Sequence, residues 1–391
     1  MPIALLALAV GAFGIGLTEF VIAGILPQIA ADFGVSIPSA GTMATSYALG
    51  VFVGAPLMTV LGARIPRKAM LIALAVIFTL GNVITALAPT LPMAIMGRVI
   101  TSFNHGAFFG IGSIIAASLV APGRQASAIA FMFSGLTVAN LVGVPLGTWL
   151  AQAFDWRLVF WVIAGIGLLT VSALATLVPH IEKGKPIALR SELRAFVDPQ
   201  VLLVMGITVF GPAAFFTSIT YIAPMMTEVA GFSASGVAWL MVLFGLGLAV
   251  GNWVGGRFAD RSLFGTLFVT LAAQGIVLLI FWSGVENQFV ASASVFLMAA
   301  FGFATVSPIQ KLVMDRASHA GAPTMAASVN IGMFNLGNAL GAWAGGATIA
   351  AGFGLVSPNW AGAILSFIAL GLAFLAWLSA RRGIVLRESS C

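Results

Sequence analysis

Residues 49–71 read LGVFVGAPLMTVLGARIPRKAML, and residues 246–261 read LGLAVGNWVGGRFADR. The first stretch is an apolar run that stops at a tight cationic turn, Arg64, Arg67 and Lys68, and then turns apolar again. Such a turn is tolerated between two apolar runs where it emerges into water, so the stretch describes two helices that cross a bilayer and meet at its surface. The second stretch repeats the first at an offset of 197: Leu49, Gly50, Gly54 and Arg64 recur as Leu246, Gly247, Gly251 and Arg261.

The composition carries the same message outward. Of 391 residues 60% are hydrophobic and 7% charged, with 45 glycines and a mean hydropathy of +1.11. A soluble domain is about 25% charged, so a water-facing surface cannot be assembled from this chain. That excludes a soluble enzyme, a disordered protein and a nucleic-acid binder, although the isoelectric point is near 10.2. The sole cysteine, Cys391, leaves no disulfide framework and no cysteine metal site.

A helix needs roughly 20 mostly apolar residues to cross the hydrocarbon core. Twelve runs qualify: 5–27, 41–62, 69–88, 92–119, 126–150, 158–178, 200–224, 235–256, 264–283, 288–313, 323–350 and 360–380. None has the ten-residue alternation of a β-barrel span (about ten residues each). The first run lacks a basic leader and is too long for a signal-peptide core, so it is expected to be retained. Of the 17 Lys and Arg, all but Arg98 and Arg157 fall in connections on one side or in the C-terminal tail. The positive-inside rule therefore places both termini of this multi-pass chain in the cytoplasm, and an inner, cytoplasmic membrane is its expected location. The longest connection, 179–199, joins residues 1–178 to residues 200–391. Its Leu189, Leu193, Phe196 and Val197 suit either a short interfacial amphipathic helix or a plain tether.

The repeat extends further, with Asn140, Gly143 and Gly147 recurring as Asn338, Gly341 and Gly345. Six spans per copy is an even number, so both copies enter the membrane in the same sense. Residues 59–71, TVLGARIPRKAML, resemble the loop signature G-x-L-A-D-R-x-G-R-K-x-x-L of the major facilitator superfamily, and Gly256 to Arg261 keep its G-x-x-A-D-R core. Arg98 followed by Gly106 is similar to the family's motif with an intramembrane arginine. Gly143-Val-Pro145-Leu-Gly147 is similar to its antiporter motif. Thr18-Glu19-Phe20 to Leu26-Pro27, with His105-Gly106-Ala-Phe-Phe-Gly110, resembles the twelve-helix drug:proton antiporters, nearest the arabinose- and chloramphenicol-efflux-like branch. The resemblance implies an all-α membrane fold of twelve helices in two parallel six-helix pseudo-repeats. It also implies gating residues at Arg64, Arg67, Lys68, Gly143, Pro145, Gly147, Asp260 and Arg261. Two departures stand out. Ala63 replaces the signature's acid and Thr59 and Pro66 its glycines, leaving Asp260 to supply the acid in the second half, and the antiporter motif is shortened to G-x-P-x-G. Glycine pairs four apart mark spans 2, 5, 8 and 11, where close helix approach is possible; in the family these helices form the seam on which the halves rock.

Three titratable groups lie well inside spans: Glu19, Arg98 and His105. A charge at a helix centre costs about 2.5–3.5 kcal/mol on insertion scales, so each is a functional candidate. Counted from the outer ends of spans 1 and 4, the depths of Glu19 and Arg98 agree within roughly 3 Å. His105 follows Arg98 by two helical turns, on the same face. All three are expected to point into one wet cleft, where Glu19 exchanges a proton as its access to water or to Arg98 changes, and His105 relays or senses it. The alternatives are a static Glu19–Arg98 pair that fixes helix packing and a satisfied core histidine. Further cavity candidates are Tyr47, Asn104, Phe108, Asn140, Phe216, Thr220, Tyr221, Trp239, Asn330 and Asn335, with Asn252 beside them. An aromatic and amide pocket with one acid suits small amphipathic compounds, neutral or cationic. A sugar or metabolite exporter with the same coupling is the alternative. No G-x-x-x-x-G-K-[ST] loop is present and the three histidines, His105, His180 and His319, are dispersed, so neither nucleotide nor metal is expected. The expectation is a monomeric, non-enzymatic, proton-coupled exporter whose partners are the bilayer and a small-molecule substrate, with no cofactor beyond the proton.

Overall fold

The computed structural model describes residues 2–62, 65–121, 125–179, 198–319 and 326–388. Twelve long helices follow in chain order: α1 (Ala4–Phe33), α2 (Ile37–Gly62), α3 (Arg67–Ala86), α4 (Leu91–Ser118), α5 (Ala128–Ala153), α6 (Trp156–Leu177), α7 (Pro199–Ile219), α8 (Ala234–Ala259), α9 (Leu263–Gly284), α10 (Gln288–Arg316), α11 (Ala326–Thr348) and α12 (Ser357–Glu388). Eleven are long and apolar enough to cross a membrane. The exception is α11, whose run carries Asn330, Asn335 and Asn338. In lipid a backbone must satisfy its own hydrogen bonds, and apolar runs of this length do so as helices. Their outward faces stay apolar, with Trp239, Trp253, Val269 and Phe289 all exposed.

The repeat is legible in the turns. Gly34 (φ 64°) and Gly231 (φ 71°), 197 apart, hold the left-handed conformation that ends a helix. Two residues on, the Ser36 hydroxyl accepts from the Ser39 N–H (3.3 Å) and the Ser233 hydroxyl from the Gly236 N–H (3.1 Å). The fourth helix of each half is interrupted mid-way: α4 at Phe103–Asn104 and α10 at Thr305. In α5 a widened turn, Ala139–Gly143, precedes Pro145, whose ring and missing N–H an ordinary turn would not accommodate.

Helices α1–α6 pack among themselves, as do α7–α12, and the halves meet along α2 with α11 and α5 with α8. The glycine stripes do not form that seam. A Cβ at Gly54 would press on Phe103 of α4, at Gly147 on Val21 of α1, at Gly247 on Ala299 of α10, and at Gly345 on Thr217 of α7. The stripes thus join α2 to α4, α5 to α1, α8 to α10 and α11 to α7, the same pairings in each half. The four helices that carry the stripes do meet at the seam, as expected, while Gly143 and Gly147 themselves face α1. A helix joined to one neighbour through a small-residue stripe presents a different face to the other half. Across the seam, Gly245 sits against the backbone of Asn140 and Leu141, and Gly332 against Phe52.

One apolar core runs through the first half and continues into the second, where Ile22 and Ile25 join Phe216, Ile219, Met241 and Phe244. The other end of the second half keeps its own core, including Val204, Ile207, Leu267 and Leu312. The halves are therefore fused at one end and parted at the other. The connection 180–197, with the expected interfacial helix at Leu189, Leu193, Phe196 and Val197, lies outside the described residues.

Candidate functional site

The gap between the parted ends is a cavity of about 1590 Å³. Its mouth carries Arg67 and Lys311, and its depth ends at Glu19 and Phe20 of α1. Ser113, Ser134, Thr137, Asn252 and Gln310 supply polar lining, and Phe109, Phe133, Phe303 and Phe334 supply rings. Behind Phe20 a cluster of rings closes the floor: Phe20 lies 5.8 Å from Phe216, 5.9 Å from Phe244 and 6.1 Å from Phe303. Contacts of this spacing stabilise by about 0.5–1.5 kcal/mol beyond burial.

Glu19 and His105 line the cavity as expected, and so do Asn140, Asn330 and Asn335. Arg98 does not. It is fully buried behind the wall, where Nη1 donates to the Thr18 carbonyl (2.8 Å) and hydroxyl (2.9 Å) and the guanidinium lies 4.2 Å over the Tyr47 ring. Among the described residues no carboxylate comes within 4.0 Å of it, although Glu19, Arg98 and Tyr47 interact electrostatically. Tyr47 is a strut rather than a lining residue, since its hydroxyl meets His105 Nδ1 at 3.1 Å. Thr18 carries the chain further, donating to Asn82 Oδ1 at 3.0 Å. The expected shared cleft thus becomes a wet pair, Glu19 and His105, backed by a dry guanidinium.

Other expected lining residues lie elsewhere. Phe108 is buried against Gly11, and Asn104 is buried at the break in α4. Among the described residues, none of α7 lines the cavity. Phe216 joins the ring cluster, the Thr220 hydroxyl turns back to the Phe216 carbonyl (2.7 Å), and the Tyr221 hydroxyl donates to the Ala342 carbonyl (2.8 Å) at the fused end. Trp239 is 73% exposed on the outer face of α8. The residues missed include Ser113, Ser134, Thr137 and Gln310 of the lining and Asn338, whose Nδ2 donates to Glu19 Oε1 at 3.4 Å. Its repeat relation to Asn140 was its one signal.

A family model described as Major Facilitator Superfamily matches residues 8–332. The chain belongs to the major facilitator superfamily. It is similar to the inner membrane transport protein YdhP of Escherichia coli strain K12, 46% identical over 372 residues and covering 95% of each chain. It is also similar to a chloramphenicol resistance protein of Streptomyces lividans, 34% identical over 384 residues and 96% of each chain. Among solved structures, a D-xylose-proton symporter shares the fold, with TM-score 0.75 and 17% identity over 95% of this chain and 96% of that one. The chain is thus a twelve-helix membrane transporter of this superfamily.

The superfamily's loop motifs frame the cavity mouth. Arg64 lies outside the described residues. Arg67 lines the mouth, and Lys68 Nζ donates to the Ala175 carbonyl at 2.7 Å, tying α3 to α6. In the second half Asp260 pairs with Lys311 at 3.5 Å and Arg261 lies 5.7 Å over Phe258. Each of these contacts stays within its own half. Pro145 is buried in α5.

Proposed function

We propose that this transporter exports small amphipathic compounds, neutral or cationic, in exchange for protons, by rocking its halves so that the cavity opens to each side in turn. The observation that carries the reading is Glu19, the one acid among the described residues lining a large chamber of rings, amides and hydroxyls. An acid at such depth is retained against an insertion penalty, and a proton that comes and goes there can drive a cycle. His105, one hydrogen bond from Tyr47 and lining the same cavity, is placed to pass that proton to water. The similarity to a chloramphenicol resistance protein supports a drug-like substrate. By the loop charges, the mouth and both termini face the cytoplasm of an inner membrane, so this conformation awaits cargo from inside. A cavity lined by both halves of a single chain suits a monomer embedded in lipid, needing no cofactor besides the proton.

A second reading, export of sugars or related metabolites with the same coupling, gains support from Ser113, Ser134, Thr137, Asn252 and Gln310, more hydrogen-bonding groups than an apolar drug requires. Inverted membrane vesicles holding the protein, given an acid interior, separate the two. Accumulation of labelled chloramphenicol but not labelled pentose is expected. Glu19→Gln abolishes the gradient-driven component, and wild-type rates in that variant would overturn the role of Glu19.

A further inference from the structure

A helical Asn inside an apolar span ordinarily turns its amide back onto its own backbone. Asn140 does so to the Leu136 carbonyl (3.0 Å), Asn335 to the Ile331 carbonyl (2.9 Å) and Asn82 to the Phe78 carbonyl (2.8 Å). Asn338 does not. It is 1% exposed, yet its Nδ2 leaves α11, crosses between the halves and donates to Glu19 of α1. Among the described residues this is the one hydrogen bond that joins the two halves. The second polar atom of the amide, Oδ1, is buried and has no hydrogen-bond partner. A buried amide oxygen without a donor is costly to keep.

We propose that Asn338 is a positioning residue that reports the protonation state of Glu19 to the C-terminal half. A carboxylate accepts from Nδ2 and has nothing to offer Oδ1. A carboxylic acid accepts from Nδ2 and donates its O–H to Oδ1, closing a two-bond acid–amide ring. The protonated acid thus ties α1 to α11 by two hydrogen bonds and the carboxylate by one. Release of the proton to cavity water breaks the second bond, leaves Oδ1 facing an anion, and loosens the halves. The charged or titratable groups facing Glu19 are Arg98 and His105 of α4 and Tyr47 of α2. Helices α5, α8 and α11 bring amides, hydroxyls and apolar groups to the cavity. The inference rests on the proton-coupled reading, with Asn338 as its transmission.

The test uses purified full-length protein carrying Cys391→Ser and a reporter, Ser134→Cys, on the cavity wall. N-ethylmaleimide labelling of the reporter is followed from acid to alkaline pH, each rate divided by that of free cysteine at the same pH because the thiolate is the reacting form, and fast and slow refer to this ratio. The parent protein is expected to label fast at acid pH and about tenfold more slowly at alkaline pH, the upper end of what one hydrogen bond between neutral groups contributes, as loss of the second bond lets the mouth close over the reporter. Glu19→Gln keeps an amide pair at every pH and labels fast throughout. Asn338→Leu loses the pH dependence, and in Glu19→Gln/Asn338→Leu the fast labelling is lost. Asn338→Gln, which keeps donor and acceptor, restores the dependence and guards against a folding defect in the leucine variant. A merely structural Asn338 would shift the labelling level while leaving its pH profile intact. That result, or a parent whose labelling ignores pH, overturns the inference. Gradient-driven efflux that persists in either case leaves the transport reading standing, whereas its absence from the parent overturns that reading instead.

Discussion

Replacing Tyr47 by Phe removes one hydroxyl and leaves the ring, which isolates the bond to His105 from the support under Arg98. The lost bond is a buried contact of 3.1 Å. Its removal is expected to lower unfolding free energy by about 1 kcal/mol, within the range for buried neutral bonds and for polar contacts between membrane helices. Tyr47→Leu also takes away the ring 4.2 Å below the guanidinium. A desolvated cation–π contact is worth about 2 kcal/mol, so this variant should lose roughly 3 kcal/mol in all. Unfolding by sodium dodecyl sulfate in mixed micelles, followed by circular dichroism, reads both values. Since Tyr47 is buried outside the cavity, the phenylalanine variant should also keep the parent's substrate KM. The reasoning fails if Leu is no worse than Phe, or if Phe raises KM while stability stays unchanged.

The glycine stripes predict a contrast within one experiment. Gly251→Ala drives a methyl into the backbone of Ala300 and should cost about 1–3 kcal/mol, whereas Gly165→Ala, with nothing within 4 Å of the new Cβ, should stay within about 0.5 kcal/mol of the parent or gain. At the fused end Arg157 binds Asp32 (2.6 Å) and the Ala88 carbonyl (2.9 Å) and lies 4.5 Å over Trp156. Asp32→Asn removes only a partly exposed ion pair and should lower stability by less than about 1 kcal/mol. Arg157→Ala removes all three contacts and should lower it by about 2 kcal/mol in the same unfolding assay. Trp239→Ala, on the outer face, should leave vesicle efflux at the parent rate, and a raised KM would return that residue to the cavity.

Twelve apolar runs, two of them ending in related basic turns, were enough to read the helices and the repeat, because length and charge placement are one-dimensional properties. Depth was legible for the same reason: counting residues placed Glu19 and Arg98 at one level, and Arg98 binds the carbonyl of Thr18, the residue before Glu19. Rotation about the helix axis was not. In a soluble helix polar residues mark the outer face, but here Trp239 faces outward and Phe216 inward with equal ease, since both lipid and core accept rings. Arg98 turns instead to the Thr18 carbonyl and hydroxyl and to the Tyr47 ring, partners on other helices that no spacing within α4 encodes. Asn330 shows the same dependence: its Oδ1 accepts from Thr208 of α7 (3.1 Å) while its Nδ2 donates to Gln310 of α10, and that bracing turns the side chain to the lining.

The five rings at the cavity floor, Phe20, Phe215, Phe216, Phe244 and Phe303, come from α1, α7, α8 and α10, so any opening at the fused end has to part them. An idle molecule gains nothing by wetting that surface and stays shut there. A loaded one offsets the exposure with contacts to its cargo, so the floor works as a toll gate against opening when there is nothing to carry.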